Sequence, residues 1–163
     1  MSRRIFLTGR PGIGKTSVLL RVIKILQDER LLVGGILSHE VRQGASRVGF
    51  RLIDVTNGRE GWLAYIHHES GPSVGKYRVN LHDLHHIGVR AILSAIDTVD
   101  VIVIDEIGPM ELFSSAFKEA VTRAMESPKI LIGVLHYRVR DPLTSTIRTI
   151  PHIQIFEVTL TNR

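Results

Sequence analysis

Apolar residues fall into two kinds of run along the chain. Residues 5–7, 32–37, 101–104, 130–135 and 153–158 form short, nearly continuous stretches dominated by Ile, Leu and Val. Such runs read as strands buried on both faces of a sheet. Three longer stretches repeat their apolar positions every three or four residues instead. In 15–30 the repeat is Val18, Leu19, Val22, Ile23 and Leu26, and in 81–96 it is Leu84, Ile87, Val89, Ile92 and Leu93. The third, 114–125, opens on Ser114 and Ser115 as candidate N-caps and is followed by Pro128. That spacing gives a helix one apolar stripe. Strands alternating with helices predict a three-layer α/β fold with a mostly parallel, five-stranded core sheet covered on both faces.

Residues 39–80 break this rhythm. Residues 48–55 alternate in part, Thr56-Asn57-Gly58-Arg59 carries an Asn-Gly turn, and a second apolar run covers 61–66. The pattern predicts an antiparallel hairpin insertion around 45–80, between the second parallel strand and the next crossover helix. No repeat or linker interrupts the chain, so 1–163 reads as a single domain. Its content of 44% hydrophobic residues fits a globular protein. No apolar run approaches the roughly 18 residues of a membrane span, and none has the form of a secretion leader.

The segment Gly9-Arg10-Pro11-Gly12-Ile13-Gly14-Lys15-Thr16 has the G-x-x-x-x-G-K-[ST] spacing of a Walker A phosphate loop. It sits between a predicted strand and a predicted helix, the context that the motif requires. Glycines let successive backbone N–H groups turn inward as an anion nest, and the helix N-terminus points its positive end at the same spot. Lys15 adds a cation for the β- and γ-phosphates, and the Thr16 hydroxyl is a candidate Mg²⁺ ligand. The companion is Asp105-Glu106, delivered at the carboxyl end of the strand 101–104, the edge where open α/β sheets bind ligands. Asp105 fits the metal-holding acid of phosphate-loop proteins and Glu106 a general base for an attacking water. A chance match for the loop, and a solubilising strand end for the acids, are the bland alternatives.

Several neighbouring residues extend this site. Asp105-Glu106-Ile107-Gly108 satisfies a D-x-x-G pattern, but no N-K-x-D base-reading motif accompanies it. A carboxylate beside the metal acid marks the class in which another strand lies between the loop strand and the acid strand. The run 130–135 takes that position, which puts His136 near the γ-phosphate as a sensor or as an ordinary strand-end histidine. Arg138, then Arg140 and Arg10, are candidates to stabilise charge on the transferring phosphoryl group, or else solvated surface cations. His82, His85 and His86 share helical spacing without a fitting carboxylate and read as a wet surface rather than a zinc site. Trp62, Tyr65 and Tyr77 either stack a base or pack the hairpin.

Taken in order, the phosphate loop, Gly35-Ile36-Leu37-Ser38-His39-Glu40-Val41-Arg42, Val48-Gly49-Phe50, Gly75-Lys76-Tyr77-Arg78-Val79 and Asp105-Glu106-Ile107-Gly108-Pro109-Met110-Glu111-Leu112 carry a family likeness. The chain resembles the small nucleoside-triphosphatases first found in thermophiles and related to the human cancer-related nucleoside-triphosphatase. The likeness runs to about Arg140. It implies a RecA-like parallel sheet and Mg²⁺-dependent hydrolysis of ATP, GTP, CTP, UTP and similar triphosphates to the diphosphate and phosphate. Glu40 and Arg42 would then line the nucleotide side of the sheet or form a loop ion pair, and Lys76 would approach phosphates or stand exposed. The chain reads Leu135-His136-Tyr137-Arg138 where the family more often has His-Arg-Arg.

Composition narrows this further. The chain has no cysteine, which removes disulfides, thiolate metal sites and cysteine nucleophiles and fits a reducing cytoplasm. A formal charge of +5 favours polyanions, but the basic residues are scattered, so phosphorylated small molecules explain the sign as well as nucleic acid does. A monomer with no membrane association is the expected form. Two rival functions stay open: a nucleotide or small-molecule kinase, and a triphosphate-dependent switch that associates with RNA.

Overall fold

The computed structural model describes residues 3–163. The first apolar run becomes strand β1 (Arg4–Thr8) and the pattern behind it helix α1 (Lys15–Asp28). Then follow β2 (Val33–Gln43), β3 (Ser46–Asp54), β4 (Glu60–Tyr65) and a short pair, β5 (Ser73–Val74) and β6 (Tyr77–Val79). One continuous helical segment comes next: α2 (Leu81–Asp83), a π-helical stretch Leu84–Val89, and α3 (Arg90–Thr98). The second half runs β7 (Val101–Ile107), a 3-10 turn Glu111–Phe113, α4 (Ser115–Glu126), β8 (Ile130–Leu135), α5 (Pro142–Thr149) and β9 (Gln154–Glu157).

All strands join one sheet in the order β5-β6-β4-β3-β2-β7-β8-β1-β9. Its parallel part is β2-β7-β8-β1-β9, five strands, with β8 between β1 and β7 as the acid-pair logic required. The hairpin is no appendage. Strand β2 pairs with β7 in parallel from Val33 to Ile36 and with β3 antiparallel from Ile36 to Gln43, so the insertion continues the same sheet. The strand expected from the sequence ends at residue 37 because the apolar signal ends there: Ser38 to Gln43 are partly or fully exposed. Backbone pairing with β3, not burial, holds that half in extended form.

Each strand residue chooses a face by parity. On β7, Val101 and Val103 join Leu7, Val33, Ile132 and the α1 residues Leu19 and Ile23 on one side. Ile102 and Ile104 join Phe6, Leu131, Ile92 of α3 and Phe117 of α4 on the other. Helix α4 starts where the serine pair suggests, with the Ser114 hydroxyl accepting the Phe117 N–H at 3.1 Å. Helix α5 has too little apolar periodicity to stand out. It is held by a capping box, Asp141 accepting from the Leu143 N–H and Thr144 from that of Asp141, with Pro142 in the first turn and Ile147 fully buried.

The strand pair that carries the site packs backbone to backbone at Gly35. This residue has φ +114°, and a Cβ there would lie 2.0 Å from the Val103 carbonyl oxygen. Gly35→Ala should therefore cost roughly 3 kcal/mol or more, the scale of strained or overpacked positions. Gly44→Ala, in the open β2–β3 turn with φ +60° and nothing within 4 Å, should cost about 1 kcal/mol. Urea unfolding of both variants checks this, and equal losses would refute the packing account.

Candidate functional site

The loop between β1 and α1 wraps because Gly9, Gly12 and Gly14 all hold positive φ, a region that L side chains rarely adopt. Helix α1 begins at Lys15, so its first N–H groups face the concavity that the loop encloses. Lys15 is buried (8% exposed), and its Nζ donates to the Gly9 carbonyl oxygen at 2.6 Å. The same ammonium lies 4.0 Å from Glu106 Oε2. Thr16 Oγ1 donates to Asp105 Oδ2 at 2.9 Å. The loop and the acid pair, 89 residues apart in the chain, thus meet through two side-chain contacts across the edge of β8.

Successive residues of a regular strand point to opposite faces. Asp105 and Glu106 nevertheless line one cavity, and the β7–β8 ladder loses its register between Ile104 and Ile107. It resumes with the Ile107–Leu135 pairing, and the His136 N–H donates to the Ile107 carbonyl oxygen at 3.1 Å. Burial pushes the Asp105 carboxyl up to about 6, against the opposing Thr16 hydrogen bond and the Lys15 charge. Burial likewise raises Glu106 to about 7; Lys15 opposes that shift and Asp105 adds to it.

A third acid belongs to this group. Glu111 is 3% exposed and accepts the Gly108 N–H at 3.2 Å. Burial first, then the charge of Glu106, raises its carboxyl well above the usual range. The family likeness includes Glu111, yet no local signal marked it for a role: an acid in a short turn reads as exposed until the fold covers it. His136 lies at the same cavity, with its pKa lowered by burial and by Lys15. Its Nδ1 accepts the N–H groups of Arg138 and Val139 at 3.2 and 3.1 Å, which leaves the proton of the neutral ring on Nε2.

The cavity has a volume of about 620 Å³. One side is the phosphate loop with the acids and His136. The other is built by the antiparallel extension: Glu40 on β2, Arg47 and Phe50 on β3, Tyr77 on β6, and Met110 after β7. Glu40 does both things left open for it, lining the cavity and pairing with Arg42 at 3.2 Å and Arg47 at 3.1 Å, but on a strand and not in a loop. Nothing in the residues around Arg47 marks it for a role, because its partner Tyr77 is 30 residues away. Lys76 is exposed, with its ammonium 5.5 Å from the centre of the Tyr77 ring.

Other candidates are not brought to the loop. Arg138, expected to meet the transferring phosphate, lines a separate cavity with Arg140 and Arg148 and stacks over Tyr137 at 6.0 Å. The physical reason is the turn after β8: His136 Nδ1 gathers the next backbone N–H groups, and the chain bends away. Arg10 is exposed on the loop. Trp62 and Tyr65 pack on each other at 4.5 Å with Arg51 over Trp62, which is hairpin packing, whereas Tyr77 reaches the cavity. His82 and His86 stack at 4.0 Å on the helix surface.

Among the described residues no cluster of three or more His, Cys, Asp or Glu side chains is arranged to hold a metal. The Thr16–Asp105 pair offers two adjoining oxygen donors instead. That donor set fits Mg²⁺, which binds through one or two protein oxygens and fills its shell with water and phosphate oxygens. No helix of the described residues is long and apolar enough to cross a membrane.

Comparison with known proteins agrees with this geometry. The family model described as NTPase matches residues 4–163. The nucleoside-triphosphatase THEP1 of Thermofilum pendens is 44% identical over 165 aligned residues, covering 99% of this chain and 90% of that one. That of Methanopyrus kandleri is 43% identical, covering 100% and 90%. Among solved structures, THEP1 from Aquifex aeolicus superposes with a TM-score of 0.86 at 31% identity, covering 98% of this chain and 92% of the other. A human cancer-related nucleoside triphosphatase gives 0.82 at 33% identity, covering 99% and 92%. With the motif, the sheet order and these relatives in agreement, the chain belongs to the NTPase family.

Proposed function

We propose that the chain hydrolyses nucleoside 5′-triphosphates to the diphosphate and phosphate with Mg²⁺, and that water attacks the γ-phosphorus. The observation that carries this reading is the opposition of Lys15 and Thr16 to Glu106 and Asp105 across one cavity edge, at 4.0 and 2.9 Å. The names of the relatives support the reaction class.

The residues divide the work. Loop amides and Lys15 hold the β- and γ-phosphates; the Lys15 ammonium then exchanges the Gly9 carbonyl for phosphate oxygen. Thr16 and Asp105 would hold Mg²⁺, which neutralises charge on the phosphate oxygens when bound. Glu106 takes the proton of the attacking water as the Pγ–O bond to the diphosphate breaks. Its pKa of about 7 suits a base working near neutrality. His136 offers Nε2–H to a γ-phosphate oxygen. Because the loop reads phosphate through backbone groups and no N-K-x-D motif is present, ATP, GTP, CTP and UTP all serve. Every group used comes from one chain, so a monomer suffices, and the lack of cysteine suits the cytoplasm.

Glu106→Gln should retain binding of a Mg²⁺-triphosphate analogue while kcat falls by about 10²-fold or more, the usual scale for a general base. Undiminished phosphate release would remove Glu106 from that role. Arg138→Ala should leave kcat nearly unchanged in the same assay; a loss as large as that of Glu106→Gln would return Arg138 to the site.

The acids also make a stability prediction for the metal-free, nucleotide-free protein. The folded-state values of Asp105 and Glu106, about 6 and about 7, lie above their ordinary 3.8 and 4.5, so the native state binds more protons than the unfolded state. Their contribution is fully present below about pH 4 and is lost as pH rises through 6 to 7. The melting temperature should fall between pH 5 and 7.5, and Asp105→Asn with Glu106→Gln should flatten that fall. Calorimetry across the range checks it; a rising profile that the double variant leaves untouched would contradict the assignment.

A further inference from the structure

The half of the cavity built by the antiparallel extension has no task in hydrolysis. In phosphoryl transfer the attacking and leaving oxygens lie roughly in line on opposite sides of the phosphorus. The phosphate loop holds the leaving diphosphate, so the nucleophile must come from the side facing away from the loop, past Glu106. A hydrolase needs one water there. This chain has instead a wall of ordered aromatic and polar groups within the same cavity of about 620 Å³, a size that suits a small organic ligand.

The wall is held in place by its own contacts. Phe50 and Tyr77 meet edge to face at 5.3 Å, and Tyr77 is only 6% exposed. The Arg47 guanidinium lies 5.0 Å over the Phe50 ring. Its Nε donates to the Tyr77 hydroxyl oxygen at 2.8 Å and its Nη1 to Glu40 Oε1 at 3.1 Å. Glu40 and Phe50 are direct partners across the β2–β3 ladder, so their side chains share a face. Flat rings, a fixed guanidinium plane and an adjacent carboxylate can stack a planar heterocycle and pair with both donors and acceptors on its edge. Glu40, sitting against Arg47, disfavours an anionic acceptor and favours a neutral one.

We propose that this wall seats a nucleoside, and that the chain passes the γ-phosphoryl group to the nucleoside's hydroxyl as well as to water. The proposal rests on the reading that the loop holds the triphosphate. The hydroxyl oxygen attacks Pγ, the new O–Pγ bond forms while the Pγ–O bond to the diphosphate breaks, and the diphosphate leaves with that electron pair. The hydroxyl proton passes to the Glu106 carboxylate. The products are a nucleoside diphosphate and a nucleoside monophosphate.

The test incubates the whole chain with Mg²⁺ and γ-labelled ATP, adding adenosine, guanosine, cytidine, uridine or thymidine singly, and separates labelled phosphate from labelled monophosphate. The expected result is label in the monophosphate of at least one nucleoside, with phosphate release falling as that nucleoside rises. Arg47→Gln and Phe50→Leu should each raise the KM for that nucleoside about tenfold, the scale of one lost contact in a specificity pocket. Label on phosphate alone with all five nucleosides would overturn the proposal and leave the hydrolase reading intact. Label on neither product would overturn both readings. Photolabelling of the unaltered protein by 8-azido-ATP gives an independent check: attachment at 47–50 would assign the wall to the base of the triphosphate itself and end the proposal, whereas attachment elsewhere supports it.

Discussion

Everything at this site depends on one buried ammonium facing more carboxyl groups than it can balance. Lys15 is held by the loop that it serves, and Asp105, Glu106 and Glu111 crowd the opposite side. Taking charges out of water is expensive, and a single cation offsets only part of the cost of three acids. The cost shows in the acids themselves: burial raises the Glu111 carboxyl well above its usual range, and Asp105 and Glu106 to about 6 and about 7. The fold supports such a cluster because its members come from rigid elements, with two apolar layers packing the sheet beneath them.

The sheet order explains why these groups meet at all. The phosphate loop leaves β1 and the acids leave β7, and β8 stands between the two strands. That order lets Lys15 and Thr16 reach across β8 to Glu106 and Asp105, at 4.0 and 2.9 Å. It also puts the end of β8 under the cavity, where His136 stands. Beyond β7, β2 serves two sheets' worth of pairing, parallel at its start and antiparallel at its end. The carboxyl edge of the parallel sheet therefore runs without a break into the extension that walls the cavity.

Much of this was legible in the residues. The five parallel strands announce themselves because a strand buried on both faces has nothing polar to interrupt it, and the loop carries its own geometry in its glycines. The rest was hidden for identifiable reasons. The second half of β2 is polar because its side chains face solvent or the cavity while β3 holds its backbone. Helix α5 is short and leans on its Asp141 cap and on Ile147. Arg47 and Glu111 gain their significance only from partners supplied by the fold: Tyr77 for the first, and burial beside Glu106 for the second. Arg138 fails in the opposite sense. Chain proximity to His136 suggested a shared site, and the turn that His136 itself organises sends it elsewhere.

A triphosphate brings more negative charge to a place already rich in acid. The loop amides and Lys15 attract it, while Asp105 and Glu106, once ionised, repel it. Both tendencies hold together only if a further positive charge enters with the phosphates, and the Thr16 hydroxyl against the Asp105 carboxylate is where two oxygens already lie side by side for it. In the proposed reaction a divalent ion there would compensate the Asp105 carboxylate, and Glu106, with no metal of its own to hold, would be the group placed to accept a proton from the attacking water.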